Sequence, residues 1–371
     1  MKVMITGGGT GGHIYPALSI AERLKIEYKG IDILYMGAKL GMEKDIVPKT
    51  GVAFRQIDVA PLNKKISPKT IKALGVLIKG LFQARREIKR FKPDLIIGTG
   101  GYVAGPIVMI GALMGIPTII HEQNAFPGMT NKILSRFVDR ILVTFEEARA
   151  HFKHKEKVVF TGLPVLESFH TVSRDYARQR LGIAKDEFVI MTVGGSNGAL
   201  KLNQVMMETY AALVEYPKIK IFHVSGNRYF ENINEKIKAG QYTVGKNFKL
   251  ISFMKEMPIY LNAVDLVISR AGASTINEII AARTPAIVIP SPNVANNHQF
   301  HNAKVVDRNG MGIIIKEEDL NTELMEHTIL NFYAEPSKLE IMRCNCDKIE
   351  HIKPLDAIMN EIGLLLKEHE I

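Results

Sequence analysis

The 371-residue sequence has only two cysteines, Cys344 and Cys346, one residue apart. That spacing offers neither the partners of a zinc site nor the usual geometry of a disulfide, so both read as reduced bystanders and the compartment as cytosolic. No secretory leader is expected either, since MKVMITGGGTGG reads directly as a strand and loop, with no long apolar segment behind a basic start. The uncharged stretch from Leu95 to Ile120 is interrupted by glycines and by Pro106 and Pro117. It reads as strand, loop, buried helix and strand rather than as a membrane span of about 20 apolar residues. No solenoid repeat or low-complexity tract is visible, the histidines lack HExxH spacing, and no carboxylate pair for Mg²⁺ stands out.

What is present is the balance of a globular protein with a packed core, 46% hydrophobic and 23% charged residues. The length suits two domains with a cleft between them. A net charge of +10 points to an anionic partner, whether nucleic acid, lipid headgroups or a phosphorylated substrate.

Short apolar runs alternate with helical stretches: KVMIT, PALSIAERLK, DILYMG, then DLIIGTG, PTIIHE and RILVTF. This pattern predicts an α/β chain with a parallel, doubly wound sheet. A second series starts at FVIMTVGG and continues through IKIFHVSG, FKLISF, DLVISRAG and PAIVIP. The alternation lapses over residues 161–175, which sets expected domains of 1–165 and 166–353. Residues 354–371 have helical apolar spacing and suit packing on either domain, the first included.

TGGGTGGH at residues 6–13 follows the first strand and precedes a helix, and Gly7, Gly9 and Gly12 satisfy G-x-G-x-x-G. A nicotinamide dehydrogenase would place an acidic residue at the end of the second strand, but DILYMG ends in Met36 and Gly37. Five glycines in six positions exceed what a tight turn requires. Their expected use is to bring backbone N–H groups close to an anion or polar substrate at a helix start. GGSNGA at 194–199 repeats the arrangement, with Ser196 adding a hydroxyl. In RAGASTINEII a helix is expected to begin near Ser274 or Thr275, placing Glu278 in the first turn, either as a capping residue or as an acceptor for ribose hydroxyls.

In this order, GGGTGGHIYPA, GTGGYVAGP, HEQNAFPG, GGSNGA, RAGASTINE and NNHQFHNA resemble the motifs of the MurG family, the N-acetylglucosaminyltransferases of peptidoglycan synthesis. The resemblance covers nearly the whole chain. It implies a GT-B fold, two Rossmann-like domains with parallel sheets facing a cleft. It also implies transfer of N-acetylglucosamine from UDP-GlcNAc to the muramyl C4 hydroxyl of lipid I, giving lipid II with inversion and without a required metal or cofactor. The first domain is then the acceptor and membrane side and the second the donor side. Carried over by residue, Thr10, Gly11, Gly12 and Asn124 meet the donor sugar, as does Gln299, and Ser196 meets the diphosphate. Ala273, Ser274, Thr275, Ile276, Asn277 and Glu278 hold ribose and diphosphate, and Met254 lies beside uracil. The family's G-N-P-V-R is GLPVL here, so Leu166 cannot make the arginine's contact with the donor phosphates.

Inversion in one step needs a base, and His13 at the start of the first helix is the candidate, with a plain hydrogen bond to the acceptor as the competing role. The segment Lys64 to Lys92 carries ten basic residues against the single acid Glu87, with Leu74, Leu77, Ile78, Leu81 and Phe82 interleaved. A surface helix on anionic lipid, at the cytoplasmic face of the cell membrane, is the expectation for a lipid-linked acceptor. The rival readings are a transferase to another lipid, a sugar-nucleotide epimerase, a nicotinamide-dependent oxidoreductase and a nucleic-acid binder. The last is disfavoured because the basic cluster lacks interleaved aromatics for base stacking.

Overall fold

The computed structural model describes residues 1–60, 68–195, 198–348 and 353–371, and of 68–74 the backbone alone. The chain divides into two units, Met1–Pro164 together with Ile352–Ile371, and Val165–His351.

The first unit is built on seven parallel strands, β1 (Lys2–Thr6), β2 (Asp32–Ala38), β3 (Ala53–Ile57), β4 (Leu95–Gly98), β5 (Thr118–Glu122), β6 (Arg140–Val143) and β7 (Val158–Phe160), in the order β3-β2-β1-β4-β5-β6-β7. Successive side chains point to opposite faces. Val3, Ile5, Leu95 and Ile97 therefore pack with Ile14, Ile20 and Leu24 of the helix Gly11–Glu27. Met4 and Ile96 pack on the other face with Ala84 and Ile88 of the helix Pro68–Phe91 and Ile107 of the helix Ala104–Leu113. Covering both faces explains why the strands read as continuous apolar runs.

The second unit holds β8 (Phe188–Val193), β9 (Ile219–Val224), β10 (Phe248–Ile251), β11 (Leu266–Ser269), β12 (Ala286–Val288) and β13 (Gly312–Ile314). Their order, β10-β9-β8-β11-β12-β13, repeats that of the first six strands. One of its faces packs Ile190 and Ile268 against Leu202 and Met206 of the helix Leu200–Ala212 and Ile329 of the helix Thr322–Ala334.

Among the described residues no helix is long and apolar enough to cross a membrane. The uncharged stretch 95–120 resolves into β4, the helix Ala104–Leu113 and β5. The helix Pro68–Phe91 does not keep its apolar residues on one stripe. Ala84, Glu87 and Ile88 are buried, Leu77 and Leu81 are half-buried, and Ile78 and Phe82 are exposed. The lone acid Glu87 is thus part of the inner seam, paired with Arg55 (3.7 Å) and Arg86 (3.4 Å). Lys64 and Lys65 lie outside the described residues, as do the side chains of Lys69, Lys72 and Leu74.

The helix Pro354–Glu368 docks on the first unit, where Ile358, Ile362 and Leu365 join the cluster around Ile14, Ile20 and Leu24. Arg23 reaches Asp356 (2.8 Å), and Arg140 pairs with Glu361 (3.5 Å) and Glu368 on the rim. Such half-exposed pairs contribute at most about 1 kcal/mol each, whereas truncating one fully buried Ile costs about 2–5 kcal/mol. The seam is therefore held by its apolar face. Ile362→Ala is expected to lower stability by about 2–5 kcal/mol in urea titrations, and a loss below about 0.5 kcal/mol, the scale of an ordinary surface change, would show that the helix does not dock this way.

Candidate active site

β1 and β4 are neighbours, yet the helices that follow them cover opposite faces of the sheet. Loops leaving such a pair diverge, opening a crevice at the strand ends. Here the two loops first meet backbone to backbone. The Gly8 N–H donates to Gly100 O (3.3 Å), and a Cβ on Gly101 would lie 2.1 Å from Gly8 O. Gly7 is equally enclosed, since its Cβ would lie 2.0 Å from Thr99 Oγ1. The Tyr35 hydroxyl donates to its carbonyl (2.8 Å).

Beneath this contact Glu43 is fully buried. Its carboxylate accepts the N–H groups of Ala38 (2.8 Å) and Gly9 (3.2 Å). A Cβ on Gly8, Gly37 or Gly41 would collide with its side chain, at 2.5, 2.6 and 2.2 Å. The glycine run therefore does not serve a ligand along its whole length, as the sequence suggested. Gly7 and Gly8 make room for Thr99, Gly101 and Glu43, while Thr10 and Gly12 are exposed and Gly11 half-exposed.

His13 is the third residue of the helix Gly11–Glu27 and half-buried. Its Nδ1 lies 3.0 Å from Thr99 O and 2.8 Å from Gln123 Oε1. The Gln123 amide nitrogen reaches His121 Nδ1 (3.0 Å) and His121 O (3.0 Å), and His121 Nε2 meets Gly162 O (2.9 Å). Burial lowers the pKa of His121, so its ring is held neutral. Glu122, also buried, gathers the loop after β5: it accepts from the Asn124 backbone (2.9 Å) and amide (3.1 Å), the Gly128 N–H (3.0 Å) and the Asn131 amide (2.8 Å). That sets Asn124 in place.

In the second unit the equivalent loops follow β8 and β11, again neighbours. Gly198, at φ +72°, passes so close to Ser225 O that a Cβ would lie 2.3 Å from it. Ser196 lies outside the described residues. The helices Gly11–Glu27, Leu200–Ala212 and Ala273–Ala281 begin at Thr10, Ala199 and Gly272 without a side-chain cap among the described residues, and none has an acid in its first turn. Ser173 and Asn321, by contrast, cap helices elsewhere in the unit. Among the described residues these three starts have N–H groups without a side-chain partner and no acid at the positive end.

The helix after β11 begins at Ala273, because Gly272 already has the extended conformation of a cap (φ −66°, ψ 144°). Glu278 is consequently in the second turn, not the first, and is no capping-box residue. With no hydrogen-bond partner among the described residues, its carboxyl is pushed by burial up to about 7. Ser274 and Thr275 are half-buried, Asn277 bonds back to Ala273 O (2.8 Å), and the Ile276 side chain is wholly within the core, leaving only its backbone available. Met254, in the loop after β10, is also buried. Gln299 accepts from the Ser291 N–H (2.9 Å) just after Asn296 and Asn297, both left-handed at φ 54° and 51°. Asparagine tolerates that conformation better than other side-chain-bearing residues, which accounts for the amide-rich stretch. Leu166 is exposed. No group of three acidic, histidine or cysteine residues among those described is spaced to hold a metal ion.

Models of the glycosyltransferase family 28 N-terminal and C-terminal domains match residues 3–143 and 189–355. The chain belongs to glycosyltransferase family 28. A relative from Thermoanaerobacter sp. (strain X514), named UDP-N-acetylglucosamine--N-acetylmuramyl-(pentapeptide) pyrophosphoryl-undecaprenol N-acetylglucosamine transferase, is 42% identical over 96% of this chain and 98% of its own. One of the same name from Desulfitobacterium hafniense is 41% identical over 97% and 98%. The crystal structure of Acinetobacter baumannii MurG superposes with a TM-score of 0.80 at 30% identity, covering 99% of both chains. The fold is thus the GT-B arrangement of two parallel-sheet domains. A UDP-GlcNAc 2-epimerase from Neisseria meningitidis, at 12% identity and a TM-score of 0.65, shares that fold alone.

Within this family 28 chain, sequence reading selected Asn124 from HEQNAFPG and passed over His121, Glu122 and Gln123, which bind the loop together. It also passed over Glu43. Two glycines shortly before it, at 37 and 41, were the available signal. Glu278 generates a prediction. Its folded-state pKa lies above its ordinary value, so the fold keeps a proton that the unfolded chain releases above about pH 4.5, and stability falls between about pH 4.5 and 7. Glu278→Gln removes that loss: in melts without ligand the variant is expected to match the wild type near pH 4.5 and exceed it at pH 8 by roughly 1–3 kcal/mol. Equal stability at pH 8 would contradict a half-buried carboxyl without a partner among the described residues.

Proposed function

We propose that the chain is an inverting hexosyltransferase that moves N-acetylglucosamine from UDP-GlcNAc to the muramyl C4 hydroxyl of lipid I, giving lipid II for peptidoglycan. The observation that carries this reading is the identity of about 40% over nearly the whole length with relatives named for that reaction. Transfer to a different lipid is the rival within the fold. A nicotinamide-dependent oxidoreductase is opposed by Glu43, the nearest acid after β2, which is fully buried and turned onto the backbone of Gly9 and Ala38 rather than towards a ribose at the surface.

His13 is the proposed base. Thr99 O and Gln123 Oε1 both face Nδ1, which together place the hydrogen there, and in the neutral ring Nε2 then carries the lone pair. As the acceptor oxygen bonds to the anomeric carbon, its proton passes to Nε2 and the bond from that carbon to the diphosphate oxygen breaks, releasing UDP. Thr10, Gly11, Gly12, Asn124 and Gln299 are proposed to meet the donor sugar, and Met254 the uracil. The backbone from Ala273 to Asn277 and the uncapped start of Leu200–Ala212 are suited to the negative diphosphate, where each such helix end is worth about 0.3–1 kcal/mol at the surface and up to about 2 when partly buried. Glu278, lacking a partner within the chain, is suited to ribose hydroxyls.

In an assay with labelled UDP-GlcNAc and a lipid I analogue, the wild type is expected to transfer the label. His13→Ala is expected to lower kcat about 10²- to 10⁴-fold while donor binding persists. Near wild-type turnover in the variant would remove the base role. No transfer by a wild type that binds UDP-GlcNAc would favour another acceptor.

A lipid-linked acceptor also supports a peripheral position on the cytoplasmic membrane face. Phe82 is 70% exposed and Ile78 49%, next to the exposed Lys79, Arg85, Arg86 and Lys89. Leu113, 66% exposed, ends a helix packed against theirs. Apolar side chains amid cations suit an anionic bilayer surface. Sedimentation with anionic vesicles is expected to retain the protein, with Ile78→Ser and Phe82→Ser together releasing most of it. Equal binding to neutral vesicles, or none to either, would defeat the membrane reading.

A further inference from the structure

We infer that Gln123 and His121 are positioning residues that lock the His13 ring with Nε2 as its accepting nitrogen, through a relay anchored on the Gly162 carbonyl. A carbonyl oxygen cannot donate, so the 2.9 Å contact to Gly162 O requires the hydrogen of neutral His121 to be on Nε2. His121 Nδ1 is then an acceptor. Among the described residues its donor, at 3.0 Å, is the Gln123 amide nitrogen, whose other hydrogen is taken by His121 O at 3.0 Å. With its nitrogen so committed, the amide cannot flip, and Oε1 is the atom presented to His13 Nδ1 at 2.8 Å. Thr99 O, at 3.0 Å, accepts from the same Nδ1–H and agrees with it. One fixed backbone oxygen thereby sets three successive side chains.

His121 is fully buried and Gln123 is 2% exposed, so water does not compete for these bonds. A buried polar group left unpaired costs about 1–3 kcal/mol, which penalises every alternative amide or ring orientation in the chain. Both acceptors stay matched to the Nδ1–H when Nε2 receives a proton, so the ring keeps its place through the step. Neither residue needs to touch substrate for this role. A wrong tautomer presents a hydrogen where a lone pair is required, and such a loss can be as large as removing the base.

The inference rests on His13 as base for its effect on turnover, but the relay itself is observable without catalysis. In long-range ¹H–¹⁵N spectra of ¹⁵N-histidine protein, with signals assigned by His13→Gln and His121→Phe, His13 is expected as the Nδ1–H tautomer and His121 as the Nε2–H tautomer. Gln123→Met removes both polar atoms at similar volume. It is expected to broaden or shift the His13 signal towards mixed tautomers and to lower kcat about 10- to 100-fold, with KM for UDP-GlcNAc changed less than about 3-fold. His121→Phe is expected to act in the same direction, and the double variant to turn over no more slowly than Gln123→Met alone, since both work through one amide. Wild-type His13 carrying its hydrogen on Nε2 would overturn the inference, as would unchanged kcat and an unchanged His13 signal in Gln123→Met. Should His13→Ala retain turnover while the spectra show the stated tautomers, the base role fails and the relay stands.

Discussion

The close approach of two backbones at the ends of β1 and β4 is the constraint on which the first unit's site depends. Gly8 N–H reaches Gly100 O, and Gly101 leaves no space between its own Cα and Gly8 O for even a methyl group. Once these loops are joined, Thr99 is brought under the first turn of the helix Gly11–Glu27, where its hydroxyl donates to His13 O (2.7 Å) and its carbonyl receives His13 Nδ1–H. The catalytic candidate is thus held at both its backbone and its ring by one residue of the neighbouring strand end. A side chain at Gly7, Gly8 or Gly101 would push the loops apart and move His13 with them. These glycines act on the site through packing, not by touching a ligand.

Much of this was legible in the sequence, and the parts that were not share a cause. Alternating apolar runs and helices disclosed two doubly wound sheets, because strands covered on both faces must be apolar throughout. Six motifs in order disclosed the family. The glycines of 7–12 were visible, but their purpose was not, since whether a glycine faces a ligand or a neighbouring backbone is a tertiary fact. Buried polar residues were hidden for the same reason. Glu43, His121 and Gln123 look like surface residues until their donors and acceptors are seen. Glu278 was placed one turn too early because Gly272 and Ala273 carry no conventional start signal; the helix begins there because the backbone of Gly272 is extended, with no capping side chain to announce it. In the helix Pro68–Phe91 the apolar residues at 77, 78, 81 and 82 looked like one stripe, yet they straddle the boundary between core and surface.

The three carboxylates singled out by the structure separate scaffold from site. Glu43 accepts two backbone N–H groups and Glu122 four donors, all from within the first unit. An ionised carboxylate so bonded is compatible with burial, because its lost hydration is replaced by fixed donors. Their work is to brace loops. Glu278 is half-buried without that compensation, and the partial loss of water pushes its carboxyl up to about 7. A donor arriving from outside the chain, such as a pair of vicinal hydroxyls, would supply the hydrogen bonds that the fold withholds and favour the ionised form. The fold would then be less stable with Glu278 ionised and empty than with it bonded, and a ligand that bonded it would draw part of its affinity from relieving that condition. The same reasoning applies to the uncapped helix starts. Ser173 and Asn321 cap helices of the second unit with a side chain, whereas most other helix starts among the described residues have none, so it is position in the sheet that singles out three of them. The open starts at Thr10, Ala199 and Gly272 stand at the ends of β1, β8 and β11, the strands next to which the sheet order reverses.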